Sequence, residues 1–115
     1  IVEFGLKAHM WTEKMLKPGI PASDVAREFV ELYRQSGYGE NFLYGPCHGL
    51  GLIEVEAPWM ETISDYRLEP NMTFQIDTFT MGPDFGVRWE KPIAIGREGC
   101  VLLSSQIGTI YEIDC

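Results

Sequence analysis

The chain has 115 residues and a formal net charge of −8. Nucleic acid is excluded as a partner, because phosphate binding needs clustered Lys and Arg and an acidic chain has none to offer. A hydrophobic content of 45% with 12% aromatics excludes a disordered chain, and no apolar run approaches membrane-spanning length.

These quantities predict one domain over residues 1–115, with an acidic surface that is compatible with cation binding. The chain opens at Ile1-Val2-Glu3-Phe4 as if inside a helix, without an initiator Met, so a fragment or processed product is expected. No signal peptide is visible. Cys47, Cys100 and Cys115 are odd in number and lack C-x-x-C spacing. Neither a zinc knuckle nor a disulfide framework is indicated, and a reducing, cytoplasmic setting is the expectation.

In chain order, Val2, Leu6, Met10 and Leu16, widened by Phe4, Ala8, Trp11 and Met15, predict a helix over Ile1 to Lys17, stopped by Lys17-Pro18-Gly19. His9 lies within it as a structural or exposed residue. Pro21-Ala22-Ser23-Asp24 opens a second helix whose apolar face is Val25, Phe29, Leu32 and Tyr33, with Arg27, Glu28, Glu31 and Arg34 in water. Ser36-Gly37 caps it. Two such helices form a layer that must cover a sheet.

Gly45-Pro46-Cys47-His48-Gly49-Leu50-Gly51-Leu52 sets a histidine between residues without bulk. That lets the backbone approach another element and leaves the imidazole free to reach a metal or substrate; an ordinary turn is the alternative. A nucleophilic role for Cys47 beside His48 lacks an Asn or Asp at triad spacing. Leu52 to Glu56 alternates like a strand, which places Glu54 and Glu56 on one face as either catalytic or metal-associated acids or an exposed acidic edge. Trp59 and Met60 read as core, with the lining of a pocket as the alternative.

Leu68-Glu69-Pro70-Asn71 has tight-turn chemistry, with Asn able to take positive φ. Met72 to Thr80 is the next strand, with Asp77 on the side of Thr73, Gln75 and Phe79. Gly82 to Gly86 is a loop, and Val87 to Ile95 is the partner strand, with Arg88, Glu90 and Pro92 on one side and Val87, Trp89, Lys91 and Ile93 on the other. Asp77 and Glu90 are thus single acids in two adjacent, otherwise apolar strands, which is costly unless they are paired or bound to a metal. A salt bridge from Arg88 accounts for one of them and not readily for both. Gly96-Arg97-Glu98-Gly99 turns into a strand at Cys100 to Leu103, and Gly108 to Cys115 is an apolar-acidic tail.

Three segments together, Cys47-His48-Gly49-Leu50-Gly51, Leu68 to Asp77, and Gly86-Val87-Arg88-Trp89-Glu90, resemble the carboxy-terminal half of the pita-bread metallopeptidases, which include methionine aminopeptidase, aminopeptidase P, prolidase and creatinase. The Val-Arg-Trp-Glu form is more similar to the prolidase and aminopeptidase P branch. The resemblance implies an α+β fold, two helices packed on a curved, mainly antiparallel sheet. It implies a hydrolase of the Xaa-Pro dipeptidase or aminopeptidase type that uses two divalent ions, Mn, Co, Zn or Fe. By position His48, Asp77 and Glu90 would be metal ligands, with Glu90 bridging both ions. Asp77 would also orient the attacking water or accept its proton, and Glu56 would belong to the catalytic group. Arg88, Val55 and Trp59 would face the substrate, a peptide or small molecule.

Three departures stand out. Asp77-Thr78 replaces the family's Glu-Pro; Val55 replaces a second histidine that holds the tetrahedral intermediate; and the strands with two aspartate ligands are missing. The chain alone is therefore expected to be inactive with weak metal binding, to need the amino-terminal half of the same protein, and to associate as a homodimer. The alternative is a non-peptidase member: a creatinase-like hydrolase, a lyase using Glu54 or Glu56 as base, or a metal-free binding protein.

Overall fold

Helix α1 (Val2–Met15) carries Glu3 in its first turn and Lys14 in its last, matching the helix dipole. The computed structural model describes residues 1–105 and 110–114. The face of α1 that is buried is Gly5, Ala8, His9 and Thr12, the i, i+3, i+4, i+7 set of one helical stripe. That differs from the expected stripe, since Met10 is 46% exposed. The reason lies in the opposing strands, which present Thr78, Thr80 and Lys91, all buried; a polar surface selects small and hydrogen-bonding residues from the helix. At Gly5 a Cβ would meet Thr80 Oγ1 at 2.9 Å and Trp89 Nε1 at 3.1 Å.

Helix α2 (Ala22–Gln35) begins after Pro21 and buries Ala22, Ser23, Val25, Ala26, Phe29 and Tyr33, while Arg27, Glu28 and Arg34 stay exposed. Its chain reverses at Gly37, where φ is +79°, a conformation that suits glycine at a helix end. Phe4, Phe29, Tyr33, Tyr38 and Phe42 form an aromatic cluster in which the Phe4 and Tyr33 rings meet edge-on at 4.8 Å. The Tyr33 hydroxyl and Thr80 Oγ1 share a hydrogen bond of 2.6 Å.

Five antiparallel strands form one sheet: β1 (Cys47–Gly49), β2 (Glu56–Met60), β3 (Thr73–Met81), β4 (Gly86–Ile95) and β5 (Cys100–Leu102), in spatial order β2-β1-β3-β4-β5. The architecture is the α+β layer expected. Asn71 takes φ +74° at the turn into β3, as its side chain permits. Period-2 alternation sends Phe74, Ile76, Ile93 and Ile95 to the helices, where they pack with Leu16, Val25, Cys47, Met60 and Leu68. The strand expected at Leu52 to Glu56 is instead a run of bends, and β2 starts at Glu56. The pairing register slips between His48 and Gly49, so the chain needs several residues to turn back before it can pair. Glu54 and Glu56 therefore do not share a strand face. Gly108, Thr109 and Cys115 of the expected tail lie outside the described residues.

Beneath the sheet's helix-facing side lies a polar network. Lys91 Nζ donates to Glu13 Oε1 at 2.7 Å. His9 Nε2 is 3.4 Å from the same oxygen, and His9 Nδ1 is 3.5 Å from Thr78 Oγ1. Cys100 Sγ donates to the Glu13 carbonyl. Burial lowers the His9 pKa from its ordinary 6.5, with Lys91 adding to the shift and Glu13 opposing it. A histidine whose folded pKa is depressed leaves the unfolded state to bind the extra proton. Its stability contribution is intact above pH 6.5 and lost as pH falls through the folded value. Thermal melts should therefore show stability falling from pH 7 to pH 5, with His9 contributing a slope no steeper than one proton, about 1.4 kcal/mol per pH unit. In His9→Gln that slope should flatten, and an unchanged slope would assign the loss to other groups.

Candidate metal centre

β1 is short, yet it holds the imidazole firmly. His48 sits opposite Gln75 of β3 and Trp59 of β2, on the face of the sheet turned away from the helices. β2 passes so close that a Cβ at Gly49 would lie 2.5 Å from the Ala57 carbonyl oxygen, and one at Gly45 would lie 2.5 Å from that of Met60. Bulk-free residues on both sides of Cys47-His48 are thus what allows β2 to dock. His48 is 6% exposed. Its Nδ1 is 3.0 Å from the Gly49 carbonyl oxygen, an acceptor that fixes the proton on Nδ1 and leaves the Nε2 lone pair free. Nε2 has no hydrogen-bond partner and stands 3.7 Å from Asp77 Oδ2.

Asp77 and Glu90 are direct cross-strand partners in the β3–β4 ladder. Asp77 is 2% exposed. Arg88, one diagonal step away opposite Phe79, donates through Nε and Nη2 to Asp77 Oδ1 and Oδ2 at 2.9 and 2.7 Å. The same Nη2 is 3.0 Å from Glu90 Oε1, within ion-pair reach although that oxygen has no aligned hydrogen bond. Arg88 therefore reaches both acids, where only one was expected, because a diagonal neighbour on a pleated face spans the pair that lies opposite. Its pKa is raised, first by those hydrogen bonds to Asp77.

A cleft of about 630 Å³ opens over this group, lined by Leu43, Tyr44, Gly45, Cys47, His48, Val55, Trp59, Met60, Glu61, Asp77, Phe79 and Arg88. The structure thus gathers His48, Asp77, Arg88, Val55 and Trp59 on one cleft, with Glu90 joined through Arg88. Met60 is core as expected, while Trp59 is 49% exposed and its ring centroid lies 6.4 Å from that of His48. Glu56 is not on the cleft. Its Oε2 accepts the Ile53 backbone N–H at 3.2 Å and so caps the bend before β2. Tyr44 and Leu43 were not foreseen, because the residues ahead of Gly45-Pro46 show no periodicity that would orient them. Burial, then Asp77, pushes the Tyr44 phenol up to about 12. Burial likewise pushes the Cys47 thiol well up, so it is a protonated packing residue and not a thiolate nucleophile.

One imidazole nitrogen without a partner and two facing carboxylates are a donor set that fits a hard or borderline divalent ion. Among the described residues, however, no three His, Cys, Asp or Glu side chains are gathered closely enough to hold one, and no helix is long and apolar enough to cross a membrane.

Known proteins place this arrangement. An X-Pro aminopeptidase from Thermotoga maritima superposes with a TM-score of 0.87 at 27% identity, covering 96% of this chain and 32% of that one. A prolidase from Pyrococcus horikoshii superposes at 0.83 with 31% identity over 90% of this chain and 30% of that one. Both carry this layer of two helices on an antiparallel sheet as part of a pita-bread fold. An uncharacterized peptidase of Staphylococcus epidermidis is 31% identical over 100 residues, 86% of this chain and 28% of the relative. The chain thus spans under a third of the length of these relatives. The model of metallopeptidase family M24 matches residues 1–97, and the chain belongs to that family.

Proposed function

We propose that the chain contributes His48, Asp77 and Glu90 to a dinuclear metal centre that hydrolyses the amide bond of Xaa-Pro peptides. The observation that carries this is the His48 Nε2 atom, buried, without a hydrogen bond and 3.7 Å from Asp77 Oδ2, with Glu90 the cross-strand partner of Asp77. Glu90 would bridge. Bound Mn, Co, Zn or Fe would supply Lewis acidity toward the peptide carbonyl and acidify a water.

The chain's own residues do the remainder. The Gly49 carbonyl keeps the His48 proton on Nδ1 and the ring in place. Asp77 would orient the attacking water or accept its proton. Trp59, Leu43, Phe79 and Val55 form walls that take an apolar side chain or ring and exclude water. The remaining ligands would come from a segment beyond these residues, and a second copy of the chain is the expected partner. A reducing, cytoplasmic setting fits the free thiols of Cys47 and Cys100.

Val55 favours a second reading. A valine cannot donate a hydrogen bond to a developing oxyanion, and its place on the cleft suits a small-molecule C–N hydrolase of the creatinase kind.

Metal content and a Mn and Co titration of wild type and His48→Ala test the centre. Weak binding that falls by more than about tenfold without the imidazole is expected, and equal binding would remove His48 from it. A panel of Xaa-Pro dipeptides and small amidines, run on the 115-residue chain, should show no turnover; Xaa-Pro hydrolysis would refute the expected inactivity.

A further inference from the structure

Asp77 and Glu90 face each other across β3 and β4, and two ionised carboxylates in that relation repel unless a cation joins them. The chain carries that cation. The Arg88 fork engages both oxygens of Asp77 at 2.9 and 2.7 Å, and it brings Nη2 to 3.0 Å from Glu90 Oε1. Planar, bidentate geometry makes this the strong form of a charge-assisted pair.

The same oxygens are those a divalent ion would need. A guanidinium hydrogen-bonded to both oxygens of Asp77 places a fixed positive charge beside the carboxylate and competes with a metal for it, with His48 Nε2 3.7 Å from Oδ2. Meanwhile Nε2 and Glu90 Oε1 both lack a hydrogen bond, so the fork hydrogen-bonds Asp77, holds Glu90 by charge alone and leaves the imidazole nitrogen unused. Arg88 can also leave, since its side chain is 44% exposed against 3% for Asp77 and its path into the cleft is open.

We propose that Arg88 is an internal counter-cation, seated on the Asp77–Glu90 pair in the metal-free protein, and that a divalent ion binds by displacing its guanidinium. This rests on the metal-centre reading above and adds a competition to it. Two effects follow. The seated arginine stabilises the empty site, and it lowers apparent metal affinity by the fraction of time that the carboxylates are occupied.

The test is a Mn2+ titration read by the EPR signal of free Mn2+, with thermal melts with and without Mn2+, on the 115-residue chain. Wild type, Arg88→Met, Arg88→Lys and Arg88→Met/His48→Ala are compared. For an arginine seated about nine-tenths of the time, Arg88→Met should bind Mn2+ about tenfold more tightly than wild type. Without metal it should melt lower, and saturating Mn2+ should restore the wild-type midpoint. Arg88→Lys, a point charge without the fork, should fall between them, and adding His48→Ala should remove the gain.

Mn2+ binding by folded Arg88→Met no tighter than wild type would overturn displacement. The metal centre would survive that result if wild type binds Mn2+ and His48→Ala does not. Absence of Mn2+ binding in every variant would overturn both. Should Arg88→Met not fold, Arg88→Lys decides: tighter binding than wild type supports displacement and equal binding refutes it.

Discussion

Lys91→Met is expected to destabilise the chain by about 3 kcal/mol, the lower end of the cost of breaking a buried ion pair. Lys91 and Glu13 are 11% and 19% exposed and 2.7 Å apart, so neither charge is well hydrated. Removing the ammonium leaves the Glu13 carboxylate between α1 and β4 with His9 as its remaining neighbour at 3.4 Å. Partial exposure of Glu13 and that imidazole keep the cost from the upper end of the range. Two further results follow from the shared oxygen. Adding Glu13→Gln should recover at least half of the loss, because the stranded charge and not the missing contact dominates. The His9 pKa should rise in Lys91→Met, since a repelling cation is gone and the attracting carboxylate is freed. Denaturant melts and an NMR titration of His9 measure these; a double variant no better than the single would mean that the loss is one of packing.

The second large effect is at Gly49. A methyl group there would meet the Ala57 carbonyl oxygen at 2.5 Å and its carbon at 2.6 Å, and these are backbone atoms that cannot rotate away. Gly49→Ala should therefore push β2 off β1, costing about 3 kcal/mol, the upper end for overpacking, and lowering Tm by about 10 °C. Gly19→Ala is a control of another kind, because a Cβ there meets nothing within 4 Å and the expected loss comes only from its φ of +87°. Gly49→Ala should also expose Trp59 beyond its present 49%, and its fluorescence would shift to the red. A folded Gly49→Ala with wild-type fluorescence would show that β2 can adjust.

Regular patterning made much of this molecule readable. Period-2 alternation marked Asp77 and Glu90 as single acids in two adjacent strands, and the Asn71 turn followed from side-chain chemistry. Helix α2 has a fully amphipathic face, so its core side was plain. Three things were hidden, each for a physical reason. Helix α1 packs on threonines and a lysine, so its buried stripe is Gly5, Ala8, His9 and Thr12, and a search for apolar spacing finds the wrong side. The bends at 51–55 carry apolar residues that alternate by chance, with Leu52 fully exposed. The double reach of Arg88 depends on a cross-strand diagonal, which spacing along one strand cannot reveal.

The alternation of β3 and β4 also bears on how such a chain can change over generations. Odd and even positions of the same two strands serve different ends. Phe74, Ile76, Thr78, Lys91 and Ile93 are buried toward the helices, while Asp77 and Arg88 line the cleft and Glu90 lies opposite Asp77. Replacements at Val55 or Trp59 touch neither helix-facing cluster, so the scaffold tolerates turnover of its cleft wall one residue at a time. Inheritance of the shape is thereby uncoupled from inheritance of the task, and a lineage can trade one chemistry for another without passing through an unfolded ancestor.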